Sequence, residues 1–116
     1  MNFFDDFGVG IDLVKIDRFK KISFEENESF YRKNFSKEEI EYCLKFEEPY
    51  KHFAGKFAIK EATIKAIDKK IQLLQIKTYH KESKPKVSIV NEKIDLKVSV
   101  SHDGDYAIAI VFSKIN

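Results

Sequence analysis

Phe53-Ala-Gly-Lys-Phe57-Ala-Ile-Lys60-Glu61-Ala-Thr-Ile-Lys65-Ala-Ile67 is the stretch from which the rest of the architecture can be built. Phe53, Phe57, Ile64 and Ile67 recur at helical spacing with small alanines between them, so a helix is expected from Tyr50 to about Ile67. Pro49 suits the start of that helix, where its missing N–H costs nothing. Glu61 and Lys65 are four apart and share a face, while Lys56 and Lys60, also four apart, lie on a neighbouring one. Upstream, Ser36-Lys-Glu-Glu39 has the capping-box pattern and should open a helix running to about Phe46. Ser23 to Asn34, rich in Glu and aromatics, is expected to hold a further short helix or an irregular segment.

Farther out the pattern changes. Phe7-Gly-Val-Gly-Ile-Asp12 reads as a short glycine-punctuated strand ending on an acid, and the spacing of Leu13, Ile16, Phe19 and Lys20 predicts a helix over Leu13 to Lys21. After Asp68-Lys-Lys70, four segments read as strands: Leu73 to Tyr79, Lys86 to Val90, Leu96 to Val100 and Tyr106 to Phe112. The last is almost continuously apolar and is expected to be buried on both faces. Asp103-Gly-Asp105 predicts a tight hairpin turn, and Pro85 a strand start or an edge. The fold class is therefore α+β: one early strand, several helices including a long central one, and a C-terminal antiparallel sheet.

The 116 residues suit one domain spanning 1–116, small enough that self-association would help it. Hydrophobic residues at 43% and charged residues at 34% exclude a disordered chain. With eleven Phe and no Trp, Phe3, Phe4, Phe7 and Phe53 are core or interface candidates. A net charge of +2, with lysines interleaved among acids, argues against nucleic acid. No apolar run approaches the roughly 20 residues of a membrane helix, and the acidic N-terminus does not read as a secretory signal. The lone Cys43 forbids an intrachain disulfide and reads as a packing residue, so a cytoplasmic protein is expected.

Three segments carry candidate chemistry. Asp12 emerges at a strand end with a carboxylate, although alone it reads as a solvated acid. Glu61 among Lys56, Lys60 and Lys65 suits a divalent cation and phosphates together, against the plainer reading of a solvated Glu–Lys pair. His102, at a strand end in Val98-Ser-Val-Ser-His102, is a ligand contact, a general base or a hydrogen-bonded turn residue. His52 and His80 lack such a setting and read as structural or surface residues. There is no Gly-x-Ser-x-Gly elbow, Walker loop or His-Glu-x-x-His.

Taken together and in this order, the segments resemble one family. Gly8-Val-Gly-Ile-Asp12-Leu-Val-Lys-Ile is similar to the N-terminal signature of the 4'-phosphopantetheinyl transferases, in their compact holo-acyl-carrier-protein synthase form. Phe53 to Ala66 is similar to that family's central K-E-A helix, Ser83-Lys84-Pro85 to its G-K-P turn, and Val98 to His102 to its closing strand. The resemblance implies a Mg²⁺-dependent transfer of 4'-phosphopantetheine from coenzyme A to a serine of apo acyl carrier protein. Adenosine 3',5'-bisphosphate leaves, and the holo carrier serves fatty acid biosynthesis. It implies Asp12 and Glu61 as metal ligands, Lys65 over the pyrophosphate, and Glu61 or a water near Asp12 as acceptor of the serine proton. It places Lys56, Lys65, Lys84, Pro85 and His102 at coenzyme A, and Arg18, with Lys15, Lys20 and Lys21, against the acidic carrier. It further implies a homotrimer with sites at subunit interfaces.

One segment departs from the pattern. Where the family has a glycine-rich turn after the central helix, this chain has Ile67-Asp-Lys69-Lys70-Ile71, and Lys69 and Lys70 are expected to supply charge there instead. The alternative function is a non-catalytic basic module that docks acidic carrier proteins, for which neither Asp12 nor Glu61 would need to bind metal.

Overall fold

The computed structural model describes residues 3–115, with the side chains of Phe3 and Phe4 outside the described residues. After a 3-10 turn at Phe3–Asp6, strand β1 (Phe7–Lys15) leads into a short helix α1 (Asp17–Lys20). Helices α2 (Glu28–Asn34), α3 (Lys37–Leu44) and α4 (Pro49–Ile67) follow, then β2 (Ile76–Lys81), β3 (Lys84–Ile89), β4 (Ile94–Asp103) and β5 (Tyr106–Ile115). β1, β5 and β4 form an antiparallel sheet in the order β1-β5-β4, and β2 pairs with β3 in a second, two-stranded one. No helix is long and apolar enough to cross a membrane.

Helix α4 organises this arrangement. Pro49 is its first residue, and Asp68 closes it in the left-handed conformation at φ 52°, donating its N–H to Ile64 O. Its small residues let β1 lie directly on it. A Cβ on Gly8 would sit 1.8 Å from the carbonyl oxygen of Ala66, and one on Gly10 1.9 Å from that of Ala62, so only glycine permits the contact. On the opposite flank Phe53 packs with Tyr31, Phe35 and Phe19 in a buried aromatic cluster that ties α1, α2 and α4 together. Tyr31 brings its hydroxyl with it and satisfies it by donating to the carbonyl oxygen of Ile22, with that of Phe19 farther off at 3.3 Å.

The capping box at Ser36 is present in full: its hydroxyl accepts from Glu39 N, and Glu39 Oε1 accepts from Ser36 N at 2.7 Å. The hairpin between β4 and β5 turns on Gly104 and Asp105, with Gly104 at φ 57°.

Three expectations fail for nameable reasons. Leu13–Lys15 is strand rather than helix, because β1 continues its ladder to Lys15 opposite Tyr106, and Ile16 N then donates to Asp105 O. Helix α1 keeps only Asp17–Lys20. The segment Leu73–Gln75 is a 3-10 turn, and β2 begins only at Ile76. β5 is not buried on both faces: Ala107, Ala109, Val111 and Ser113 face α4, while Tyr106, Ile108 and Phe112 are exposed. β1 repeats this, with Phe7, Val9, Ile11 and Leu13 exposed, so the two strands share one open apolar face.

Candidate functional site

Period-two alternation turns Gly8, Gly10, Asp12 and Val14 toward α4, so the carboxylate of Asp12 continues the row of glycines that contact the helix. There Lys65 reaches across: its ammonium donates to Ile11 O at 2.9 Å and pairs with Asp12 Oδ1 at 3.3 Å. Asp12 is four-fifths buried on its side chain, whereas Lys65 is half exposed. Glu61 lies one helical turn before Lys65, half-buried, and among the described residues it has no ion-pair partner. The predicted trio of Asp12, Glu61 and Lys65 therefore occupies the seam between β1 and α4. Among the described residues no three His, Cys, Asp or Glu side chains gather in a metal-holding group. Two hard oxygen donors suit a cation that takes most of its shell from water and phosphate, which is the habit of Mg²⁺.

Lys56, Pro85 and His102 come together elsewhere, in a cavity between α4, β2, the start of β3 and β4. Gly55 makes room for the imidazole of His102, whose Nε2 lies 3.1 Å from the position a Cβ would take there. That nitrogen lies 3.2 Å from Lys51 O, which fixes it as the N–H donor. Burial holds the His102 pKa below the usual imidazole range, the bond to Lys51 O opposing it and the Lys51 charge adding to it.

His52 and His80, expected to be structural or surface residues, also line this cavity, His52 half-buried and His80 exposed. His52 stacks on Phe46 with ring centroids 3.7 Å apart, and His80 on Tyr42 at 4.8 Å. Burial lowers both pKa values, helped at His52 by His102, Lys51, Lys56 and His80, and at His80 by Lys56. Sequence spacing held one clue, since His52 and Lys56 are four apart on one helical face. His80 on β2 gave none.

Lys56 is 5% exposed, its ammonium 3.1 Å from Thr78 Oγ1, 3.4 Å from Thr78 O and 4.6 Å from the centre of the Tyr42 ring. Lys60 corrects an expectation: it is fully buried and cannot take phosphate charge. It donates to Glu39 Oε1 at 2.7 Å, to Asn34 O and to Leu73 O, and so joins α4 to α3 and to the segments on either side.

The remaining predicted residues are dispersed. Lys84 is exposed at the β2–β3 hairpin, where Glu82 and Ser83 both adopt positive φ, and it borders a shallow groove with Pro85 and β4 rather than the histidine cavity. Arg18 lies over the ring of Phe57 at 5.4 Å, and Lys15, Lys20 and Lys21 are exposed near it in sequence. Lys69 pairs with Glu92 at 3.1 Å, while Lys70 is exposed.

An acid held on a glycine-lined strand against a K-E-A helix, with a basic, histidine-lined cavity on that helix's other flank, defines a phosphate-handling α+β class. The model of the 4'-phosphopantetheinyl transferase superfamily matches residues 8–111, and the chain belongs to that superfamily. It is 35% identical over 108 residues to the holo-[acyl-carrier-protein] synthase of Thermodesulfovibrio yellowstonii, with 90% of this chain and 95% of that protein covered. It is 39% identical over 114 residues to that of Ehrlichia ruminantium strain Gardel, covering 90% and 93%. Among solved structures it is similar to Helicobacter pylori holo-[acyl-carrier-protein] synthase in complex with coenzyme A, at TM-score 0.77 and 34% identity, covering 89% and 96%. The synthase of Bacillus anthracis str. Ames, at TM-score 0.81 and 24% identity over 94% of this chain and 96% of that one, shares the fold.

Proposed function

We propose that residues 1–116 act as one transferase domain that moves the 4'-phosphopantetheine arm of coenzyme A onto a serine of apo acyl carrier protein, supplying holo carrier for fatty acid biosynthesis in the cytoplasm. The observation that carries this is the seam where Lys65, one helical turn beyond Glu61, pairs with Asp12, while Glu61 has no ion-pair partner among the described residues. Superfamily membership and the synthase relatives support the same reaction.

Asp12 and Glu61 would hold Mg²⁺, which when bound draws charge from the pyrophosphate. Lys65 pairs with Asp12 in the free protein and, half exposed, would add its charge to the phosphates. The serine Oγ attacks the β-phosphorus, and the bond from that phosphorus to the bridging oxygen breaks. Adenosine 3',5'-bisphosphate leaves with the electron pair, and Glu61 or a water beside Asp12 takes the serine proton. Lys56, Pro85 and His102 would receive the nucleotide end, and Lys84, next to Pro85 in the neighbouring groove, would add charge from outside the cavity. Arg18, Lys15, Lys20 and Lys21 attract the acidic carrier, an attraction that weakens with salt. Lys69 is engaged with Glu92, so added charge after α4 falls mainly to Lys70.

The two clusters lie on different sides of α4. Lys56 and Glu61 are separated by about 140° around the helix axis at roughly 100° per residue. Lys56 meets β2 and Lys65 meets β1. The open apolar face of β1 and β5 offers the surface for self-association, so we read the active form as a homotrimer whose sites join the acid cluster of one copy to the cavity of the next.

The test is to incubate the protein with coenzyme A, Mg²⁺ and apo carrier and to weigh the carrier by intact-mass spectrometry. A gain of about 340 Da is the phosphopantetheine arm. No gain with several competent carriers, alongside salt-sensitive carrier binding, would make this a docking module.

A further inference from the structure

Glu39 has no part in the proposed reaction, yet its carboxylate is buried and accepts four hydrogen bonds. Oε1 takes one from Ser36 N at 2.7 Å and one from Lys60 Nζ at 2.7 Å. Oε2 takes one from Thr78 N at 2.8 Å and one from Thr78 Oγ1 at 2.6 Å. Burial pushes the carboxyl pKa up, but the charge of Lys60 and the bonds from Lys60, Thr78 and Ser36 outweigh it and hold the pKa below the usual range. Glu39 is therefore an ionised group that can only accept.

This fixes the polarity of the next bond. A threonine hydroxyl has one proton, and here Glu39 takes it. Toward Lys56 Nζ, 3.1 Å away, Thr78 Oγ1 can then act only as an acceptor, and Thr78 O accepts from the same ammonium at 3.4 Å. A lysine stem is flexible and gives up its charge readily when buried. Burial indeed lowers the Lys56 pKa, opposed by the charge of Glu39, while the neighbouring Cys43 thiol is itself held protonated by burial. Two acceptors from Thr78 and the Tyr42 ring at 4.6 Å hold the ammonium in place beside the histidine cavity that Lys56 lines, and among the described residues it has no other oxygen partner.

We propose that Thr78 is a positioning residue for the phosphate-bearing end of coenzyme A: oriented by Glu39, it holds Lys56 charged and aimed into the cavity lined by His52, His80 and His102. The assignment rests on the reading of that cavity as the nucleotide site, and it extends that site to two residues: Glu39, which the sequence marks only as part of a helix cap, and Thr78, which no motif marks. Lys56 faces Thr78 on β2, Tyr42 and Cys43 on α3, the imidazoles of His52 and His80 and the like charge of Lys60, and the anion that acts on it from within the protein is Glu39, which is itself ion-paired to Lys60.

The experiment measures the dissociation constant of coenzyme A by calorimetry, together with KM and kcat, for the full chain and its variants. Thr78→Val removes the hydroxyl at nearly constant shape. It should weaken coenzyme A binding and raise KM about tenfold, the scale of one charge-assisted contact, with kcat changed less than about twofold. Thr78→Ser should restore both, and Thr78→Val combined with Lys56→Ala should bind no worse than Lys56→Ala alone. The alkaline limit of binding should move to lower pH in Thr78→Val, because Lys56 loses its charge sooner, a change that general loosening of the fold would not produce. Thr78→Ala repeats the measurement should Thr78→Val fail to fold. Unchanged affinity in Thr78→Val while Lys56→Ala binds weakly overturns the proposal, as does unchanged affinity in Lys56→Ala. Intact coenzyme A binding that responds as expected in a chain unable to modify any carrier would instead sink the transferase reading and leave this one standing.

Discussion

Glu39 and Lys60 form a fully buried ion pair at 2.7 Å, and such pairs are costly to break from one side because the surviving charge stays desolvated. Glu39→Gln leaves Lys60 among the carbonyls of Asn34 and Leu73 without its counter-charge. The expected loss is about 3 kcal/mol in urea unfolding, whereas Glu41→Gln, which breaks only the exposed pair with Lys37, should cost less than about 0.5 kcal/mol. Because the Glu39 pKa is depressed, its contribution is fully present above the unfolded carboxyl value of about 4.3 and is lost as pH falls through the folded one. Equal losses for the two variants would contradict this account. Cys43 behaves in the opposite sense: burial pushes its thiol up to about 12, so it stays protonated and inert while the fold holds. At the site itself, Asp12→Asn and Glu61→Gln should each lower kcat/KM by at least about a hundredfold with melting temperature largely preserved, since Glu61 is only half-buried and the lysine paired with Asp12 is half exposed. These acids were legible because strand and helix motifs fix their positions locally. Lys60 was not: its burial depends on Glu39, 21 residues away, and on two carbonyls from other segments, none of which leaves a mark in the spacing of Lys56 and Lys60.

Elements explain where local pattern was enough. Helix α4 was readable because its apolar spacing, its first-turn proline and its burial agree, and α3 because the capping box is a short-range device. The helix expected over Leu13–Lys21 failed because non-local pairing with β5 outweighs a helical period of only three or four residues. The β1–α4 contact yields a sharp prediction. Gly10→Ala would set a methyl 1.9 Å from the Ala62 carbonyl oxygen, so strand and helix must separate and the melting temperature should drop by at least about 5 °C, with transfer lost as Asp12 moves from Glu61. A variant that melts normally would show that the seam can flex. The histidine cavity makes a second. All three imidazoles are held below their ordinary pKa, first by burial, so the unfolded chain takes up protons near pH 6.5 before the folded one does. Stability should therefore fall as pH drops from about 7, until the folded imidazoles also protonate. His52→Gln should flatten the dependence of melting temperature between about pH 7.5 and about pH 5.5, and an unchanged slope would remove His52 from the account.

At the scale of the molecule the telling feature is a surface. Val9, Ile11 and Leu13 on β1 lie opposite Phe112, Ile110 and Ile108 on β5, and the outward row is apolar across both strands. The near-continuous apolar run of β5 suggested burial on both sides; within one chain α4 covers one side and leaves the other open to the self-association proposed above. Ile11→Glu should therefore shift sedimentation from trimer to monomer without unfolding the chain, because Ile11 contributes nothing to the α4-facing core. Activity should fall with it, since the acid cluster and the histidine cavity lie on different flanks of α4 and the proposed trimer joins the acids of one copy to the cavity of the next. Complementation separates this from simple instability. Glu61→Gln damages only the acid half of a composite site and Lys56→Ala only the nucleotide half, so each homotrimer should be nearly inactive. When the two are unfolded together at equal concentration and refolded, random mixing gives about a quarter of interfaces two intact halves, and activity should recover to about that fraction of wild type. No recovery in mixed assemblies that are demonstrably trimeric would mean that each copy builds its site alone, and α4 would then have to present both flanks to one substrate by a movement of the β2–β3 hairpin.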